Sequence, residues 1–219
     1  MSARRAPRSL LYAGPAPFIL ASRSPRREEI LRQLGVRFLV RPADVDERGD
    51  PGLPPREIAM RAAAEKAAHV ARGRRRGLVL GADTVVVVDG EALGKPAGPR
   101  AAARMLARLA GRTHVVTTGL ALIDVERGAR CLSWEDTRVH MRAASKVEIA
   151  AYIATGEPFD KAGGYAIQGH GALFVDRIEG CYWNVVGLPV ARLRSMIADL
   201  SSERCPRQKA SRKSKAGNR

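Results

Sequence analysis

The sequence predicts an α/β protein built on a mixed β-sheet. Three observations point there. Short apolar runs, such as Phe18 to Ala21 and Gly77 to Asp83, alternate with stretches whose apolar residues recur at helical spacing. Turn signals at Asp89-Gly90 and near Arg127-Gly128 insert hairpins, and so antiparallel strands, into that alternation. The chain is 45% hydrophobic but only 5% aromatic, so its core is Ala, Val and Leu. At 219 residues it fits one large domain or two lobes sharing a cleft.

The elements follow in order. Phe18 to Ala21 reads as a buried strand. Pro25 suits the first turn of a helix with Ser24 as N-cap, Ile30, Leu31 and Leu34 lie on one helical face, and Gly35 stops it. "VRFLVRP" is a second strand, followed by the loop "ADVDERGDPGLPP" and an Ala-rich helix over residues 56–72. "GLVLGAD" is a short central strand ending at Asp83, and "TVVVVDGEALGKP" forms a hairpin beyond it. Residues 99–110 are helical. "THVVTTGLALIDVERGARCLSWEDTRVHMR" makes two long strands, and residues 145–154 form a helix ending at Gly156. The Gly-rich stretch 163–187 holds short strands and loops, and Pro189 opens a last helix to about Leu200.

Charge is unevenly placed. Of the formal +16, residues 1–17 carry +3 and residues 201–219 carry +6, leaving +7 for residues 18–200. Both ends read as basic tails, the C-terminal one disordered, around a single domain spanning 18–200. Such tails could touch nucleic acid weakly, but a solvated tail explains them better. Cys131, Cys181 and Cys205 are far apart and odd in number, which suggests neither a disulfide framework nor a zinc site and fits a reducing cytosol. No apolar run approaches a membrane span. "SLLYAGPAPFILAS" faintly mimics a signal peptide, yet cleavage after it would remove a core strand.

Several residues could carry chemistry. The corner from Ser22 to Arg27 puts two hydroxyls and two guanidinium groups at a helix N-terminus, where free N–H groups attract phosphate. Cations there oppose the helix dipole unless an anion compensates. The alternative is a surface Arg pair beside a simple Ser24 cap. Asp83, at the end of its strand, could bind a divalent cation, accept a proton from water, or merely cap a turn. Lys66, on a helix face of small residues, and Lys95, after a Gly, could each reach a phosphate or stay solvated. Glu47 in the acidic loop could join Asp83 around a metal. Gln168, within the Gly-dense run Asp160 to Phe174, offers both a donor and an acceptor to a base edge. The four histidines have no metal spacing, and no Walker, dinucleotide-binding or G-x-S-x-G motif is present.

Together "LASRSPRREEIL", "GADTVV", "LGKP" and "GYAIQGHGALFVDRIEGCYWNVVGLP" resemble the Maf family of nucleoside triphosphate pyrophosphatases over nearly all of residues 18–199. The resemblance implies an elongated α/β fold, a mixed sheet flanked by helices with two lobes around a central cleft, often dimeric. It implies hydrolysis of a nucleoside triphosphate to the monophosphate and pyrophosphate, with a divalent cation such as Mg2+ or Mn2+. Asp83 would be the general base or a metal ligand. Arg26, Thr84 and Gln168 would set specificity, with Ser22, Arg27, Glu47, Lys66 and Lys95 at further active-site positions. The A-D-T and I-Q-G elements are similar to the dTTP/UTP-type branch rather than the 7-methyl-GTP-type branch. The chain departs from the family in "GGYAIQG" and in the bulky Cys181 and Trp183, both expected near the base pocket. A cytoplasmic location is expected from the cysteine usage, and no membrane partner from the lack of a spanning apolar run. Two rival readings are a non-catalytic nucleic-acid-binding protein and a septation regulator acting through protein contacts.

Overall fold

A computed structural model describes residues 9–45, 52–202 and 204–205. Seven strands form one mixed sheet. They are β1 (Phe18–Leu20), β2 (Phe38–Val40), β3 (Leu78–Val88), β4 (Glu91–Leu93), β5 (Thr113–Asp124), β6 (Ala129–Met141) and β7 (Val175–Glu179). The order is β2-β1-β3-β5-β6-β7, with β4 also on β3. β1 runs parallel to β2 and β3, and the other pairings are antiparallel. The helices are α1 (Pro25–Gln33), α2 (Pro55–Ala71), α3 (Pro99–Leu109), α4 (Lys146–Ala154), α5 (Tyr182–Val186) and α6 (Val190–Ser201).

The apolar run at β1 has no alternation because both its faces are covered. Phe18 and Leu20 pack with Ile30 and Leu31 of α1 and with Leu193 and Met196 of α6. Ile19 and Ala21 pack on the other side with Ala63 and Ala67 of α2. A third cluster, from Val86, Leu93, Leu106, Val116, Val139 and Tyr152, builds the other lobe around α3, α4 and the far halves of the long strands. β3, β5 and β6 run through both lobes, and the cleft lies between them.

The Ala-rich composition of α2 has a steric cause. Ala59, Ala63 and Ala67 recur every four residues and are fully buried. Beneath them lie Gly81 of β3 and Gly119 of β5. A Cβ on Gly81 would stand 2.1 Å from the Ala63 carbonyl oxygen, and one on Gly119 would stand 2.3 Å from the Ala59 carbonyl carbon. The helix backbone therefore rests directly on the sheet.

Several expectations are corrected. The chain does not leave its strand at Asp83: β3 continues for five more residues to Val88 before turning at Asp89-Gly90, where both residues have positive φ. Apolar Val85 to Val88 pair with β5 on one side and β4 on the other, so the hairpin is an extension of the same strand. The Gly-rich stretch, read as short strands and loops, holds one strand, β7, tight 3-10 turns before it and the short helix α5 after it. Cys131 of β6 and Cys205, 74 residues apart, are joined sulfur to sulfur with their Cα atoms 5.4 Å apart, contrary to the unpaired cysteines expected. Both are buried in the α1–α6 cluster, which is why spacing alone gave no sign of the pair. The described parts of the end segments also pack: Leu11 is buried in that cluster, Tyr12 tilts against Phe18, and Ser9 donates to the Leu34 carbonyl at 2.8 Å.

In the second lobe His114 is 2% exposed and its Nε2 lies 2.6 Å from the Tyr165 hydroxyl. Burial, with a smaller contribution from His140, lowers its pKa to about 4.

Two outcomes follow from this packing. Gly81→Ala should cost about 3 kcal/mol in urea denaturation, because backbone atoms cannot yield to the new methyl. Gly94→Ala, with nothing within 4 Å, should stay within about 0.5 kcal/mol. The His114 contribution has a defined sign. The unfolded imidazole takes a proton near 6.5 and the folded one only near 4, so its stabilisation is complete above 6.5 and is lost as pH falls through that window. The slope should approach about 1.4 kcal/mol per pH unit. Urea curves at several pH values should show it in the wild type, and His114→Gln should flatten it.

Candidate active site

The first corner is where β1 gives way to α1. The Ser22 hydroxyl is buried and accepts from the Ser24 amide at 3.2 Å and from Arg27 at 2.9 Å. Ser24 is the N-cap and Pro25 opens the helix, but the Ser24 side chain makes no cap hydrogen bond. The two arginines differ sharply. Arg27 is buried, so it is no surface pair with its neighbour. Its guanidinium donates to the Gly187 carbonyl at 2.8 Å, to Ser22, and to the Thr84 hydroxyl at 3.0 Å. It thus braces three separate segments. Arg26 turns the other way, partly exposed, and lies 3.7 Å from Asp160 across the cleft.

β3 places Asp83 and Thr84 at a gap in the sheet. On one edge β1 pairs with residues 78–80 and β4 pairs with residues 86–88. Among the described residues no strand pairs with Gly81 to Val85 on that edge. Strand alternation sends the two side chains to opposite faces. Thr84 joins Arg27 and the Thr118 hydroxyl, 2.9 Å away. Asp83 faces α2, where Lys66 Nζ lies 2.6 Å from its Oδ1. The Lys66 side chain is 7% exposed and that of Asp83 is 19% exposed, so the pair sits at the cleft wall with its cationic end buried.

These residues converge. Ser22, Arg26, Arg27, Lys66, Asp83, Thr84, Lys95 and Gln168 all line one cleft of about 920 Å3, within the usual range for a ligand site. Glu47 lies outside the described residues. Gln168 is exposed and opens the 3-10 turn Gly169–Phe174. Cys181 and Trp183 are not on the cleft wall; they sit at the start of α5, where the Cys181 backbone is bonded to Thr137. Their helix neighbours Val185 and Val186 do line the cleft. Sequence reasoning missed Asp160, Lys161 and Tyr165, which also line the cleft. Their signal was membership of the Gly-dense run Asp160 to Phe174, in which only Gln168 was singled out. Nothing local indicates that Asp160 meets Arg26, 134 positions away.

Among the described lining residues, Arg23, Arg26, Arg27, Lys66, Lys95 and Lys161 outnumber Asp83, Glu91 and Asp160 two to one. With the α1 N-terminus this makes the cleft attractive to a polyanion. No group of three or more His, Cys, Asp or Glu side chains is placed to hold a metal among the described residues. A hard divalent ion that arrives with a triphosphate needs only one or two protein carboxylates, so Asp83 fits that role.

An α/β fold whose lobes enclose a cationic cleft with one carboxylate held by a buried lysine is suited to handling phosphate esters. Comparison with known proteins sharpens this: the model of the Maf-like protein family matches residues 17–200, and the chain belongs to that family. It is 51% identical over 180 residues to a dTTP/UTP pyrophosphatase of Moorella thermoacetica, covering 82% of this chain and 93% of that one. Proteins of the same name from Gloeobacter violaceus and Desulforamulus reducens are 49% and 48% identical, over 83% and 81% of this chain and 94% and 93% of theirs. A solved nucleoside-triphosphatase / dITP/XTP pyrophosphatase from Mycobacterium abscessus is 16% identical with a TM-score of 0.36, over 57% of this chain and 74% of that one, a likeness too slight to support an inference.

The contrast between the adjacent arginines can be measured. Arg27→Met removes the bonds to the Gly187 carbonyl, Ser22 and Thr84 at once and should lose about 3 kcal/mol of stability in urea. Arg26→Met should change stability by less than about 0.5 kcal/mol.

Proposed function

We propose that this chain hydrolyses dTTP and UTP to the nucleoside monophosphate and pyrophosphate. The curated relatives named for that activity support it, at 48–51% identity over most of their length. The observation that carries it chemically is the Lys66–Asp83 pair at the wall of a cationic cleft.

In this reading the triphosphate lies along the cleft. The Ser22–Arg27 corner, the first turn of α1 and the amines of Lys66 and Lys95 bind its oxygens. Lys66 fixes one oxygen of Asp83, and the other takes a proton from the attacking water. The water oxygen bonds to the α-phosphorus, the bond to the α–β bridging oxygen breaks, and pyrophosphate leaves among the surrounding cations. In the alternative role of Asp83 as a metal ligand rather than the base, it and Glu47 would hold a divalent cation, Mg2+ or Mn2+, which would supply neutralisation of phosphate charge and acidify the water. Arg26 reaches over the cleft mouth. Thr84, committed to Arg27 and Thr118, acts by holding the guanidinium in place. Gln168 reads the base: its amide matches the N–H and one carbonyl of uracil or thymine together while backbone N–H groups of the Gly163–Gly171 stretch take the other carbonyl, and cytosine, with an amino donor in place of a carbonyl, leaves polar groups unpaired at a cost of about 1–3 kcal/mol.

A cytoplasmic location suits such substrates, and no helix among the described residues is long and apolar enough to cross a membrane. A homodimer and weak contact of the basic ends with nucleic acid belong to the same proposal.

The test is a panel of triphosphates assayed for pyrophosphate release, with wild type and Asp83→Asn in parallel. Wild type should favour dTTP and UTP in kcat/KM, and the variant should lose about a hundredfold or more in kcat. A lead for 7-methyl-GTP would move the chain to the other branch. Full turnover in Asp83→Asn would remove the assignment of the base. A cellular septation effect or tight DNA binding that survives the substitution would favour the non-catalytic readings.

A further inference from the structure

The loop that carries Gln168 has no strand or long helix to hold it. What does hold it is a single carboxylate behind the cleft wall. Glu157 lies in the turn after α4, and its side chain is 17% exposed. Its Oε1 accepts from the Tyr152 hydroxyl at 3.0 Å and from the Gly171 amide at 3.1 Å. Its Oε2 accepts from the His170 amide at 3.0 Å, with His170 Nδ1 at 3.2 Å. Burial pushes this carboxyl upward, but the Gly171 and His170 amides and the Tyr152 and His170 side chains outweigh it and hold the group below its ordinary value.

The partners are themselves fixed. Tyr152 is buried on α4, edge-on to Phe174, and α4 begins with a full capping box at Ser145 and Glu148. The Glu157 carbonyl accepts from Lys161 at 2.6 Å. The loop is pressed against this support. Gly169 has φ +70, and a Cβ there would lie 2.8 Å from Glu157 Oε2. A Cβ on Gly171 would lie 2.4 Å from the Ala166 carbonyl oxygen and 2.8 Å from the Tyr152 hydroxyl. The glycines of "IQGHG" are thus explained by close approach to Glu157 and Tyr152. Glu157 does not line the cleft and has no part in the proposed reaction.

We infer that Glu157 is a positioning residue for base selection: it pins the 168–171 loop and so sets where the Gln168 amide meets the base. The inference rests on the reading of Gln168 given above. Only a carboxylate suffices, because two main-chain donors and a hydroxyl converge on both of its oxygens. A glutamine has one acceptor oxygen, and its NH2 would face a backbone N–H.

The experiment uses the full chain with Glu157→Gln, Gln168→Ala and the double variant, assayed with UTP and CTP, together with hydrogen exchange of the 168–171 amides. Glu157→Gln should lower the UTP-over-CTP preference in kcat/KM about tenfold, mainly through the KM for UTP, and should speed exchange at His170 and Gly171. In the Gln168→Ala background it should lower the preference no further, since it acts through that residue. Equal losses for UTP and CTP, or fully multiplicative losses in the double variant, would overturn the inference. If wild type splits neither UTP nor dTTP, the proposed function fails on its own account, and unchanged exchange at 168–171 in Glu157→Gln would then sink the positioning role while faster exchange would sustain it. Should Glu157→Gln not fold, Tyr152→Phe removes one of the same bonds and should shift preference and exchange in the same direction, by about two- to threefold; no shift there counts against the inference.

Discussion

The close contact between α2 and the sheet is the constraint on which the rest of the structure depends. A helix backbone normally stands off a sheet by the depth of two layers of side chains. Here Gly81 and Gly119 remove the lower layer and Ala59, Ala63 and Ala67 thin the upper one. The helix sinks until main-chain atoms touch. That depth lets Lys66 reach Asp83 from above at 2.6 Å while its stem is buried among small side chains. A helix held farther out would leave the two charges at different levels of the cleft. The price of this arrangement is a buried ammonium, which is sustained by the carboxylate beside it.

The second organising feature is one long strand used by two lobes. β3 borrows β1 at its start and β4 at its end, and the stretch between them faces the cleft. Asp83 and Thr84 are consecutive, so they address opposite faces of the sheet, one to Lys66 and one to Arg27. Arg27 then ties this stretch to the first corner and to the turn after α5. Thr118, Asn184 and Thr137 extend the hydrogen bonding through the interior: Asn184 donates to the Val116 carbonyl and to Thr137, and Thr118 donates to the Asn184 carbonyl. The Asn184 amide nitrogen, the Val116 carbonyl and the Thr118 and Thr137 hydroxyls meet only in one arrangement, so these bonds hold α5 and the central strands in register, although Asn184 Oδ1 itself finds no partner among the described residues. The cleft wall at the Ser22–Arg27 corner is therefore braced by buried hydrogen bonds, whereas the wall at Gln168 depends on a short loop and the carboxylate of Glu157 behind it.

Much of this was legible in the sequence. The helices and the long hairpin were set by local chemistry: apolar spacing in α1 and α6, prolines at helix starts, and glycines with positive φ just past the helix ends at Gly35 and Gly73. The corner of Ser22 to Arg27 and the lone Lys66 stood out because their residue types conflict with a bland helix start and a small-residue face. Such conflicts are visible without a structure. By itself the sequence determined most of the elements and their order, though not α5 or the full length of β3, and a set of charged and polar residues suited to a phosphate ligand.

Only the tertiary structure decided how those residues divide the work. That Arg27 is a buried brace while Arg26 spans the cleft to Asp160 depends on contacts 57 to 160 positions apart, with Thr84, Asp160 and Gly187. The continuation of β3 past Asp83 was hidden because its pairing partners, β4 and β5, lie outside any local window. Cys131 and Cys205 meet because α6 returns the chain to the face of β6. In each case local propensity settles the conformation of a segment, whereas the position of a side chain relative to a distant one is set by how helices and strands close-pack, and that information is spread over the whole chain.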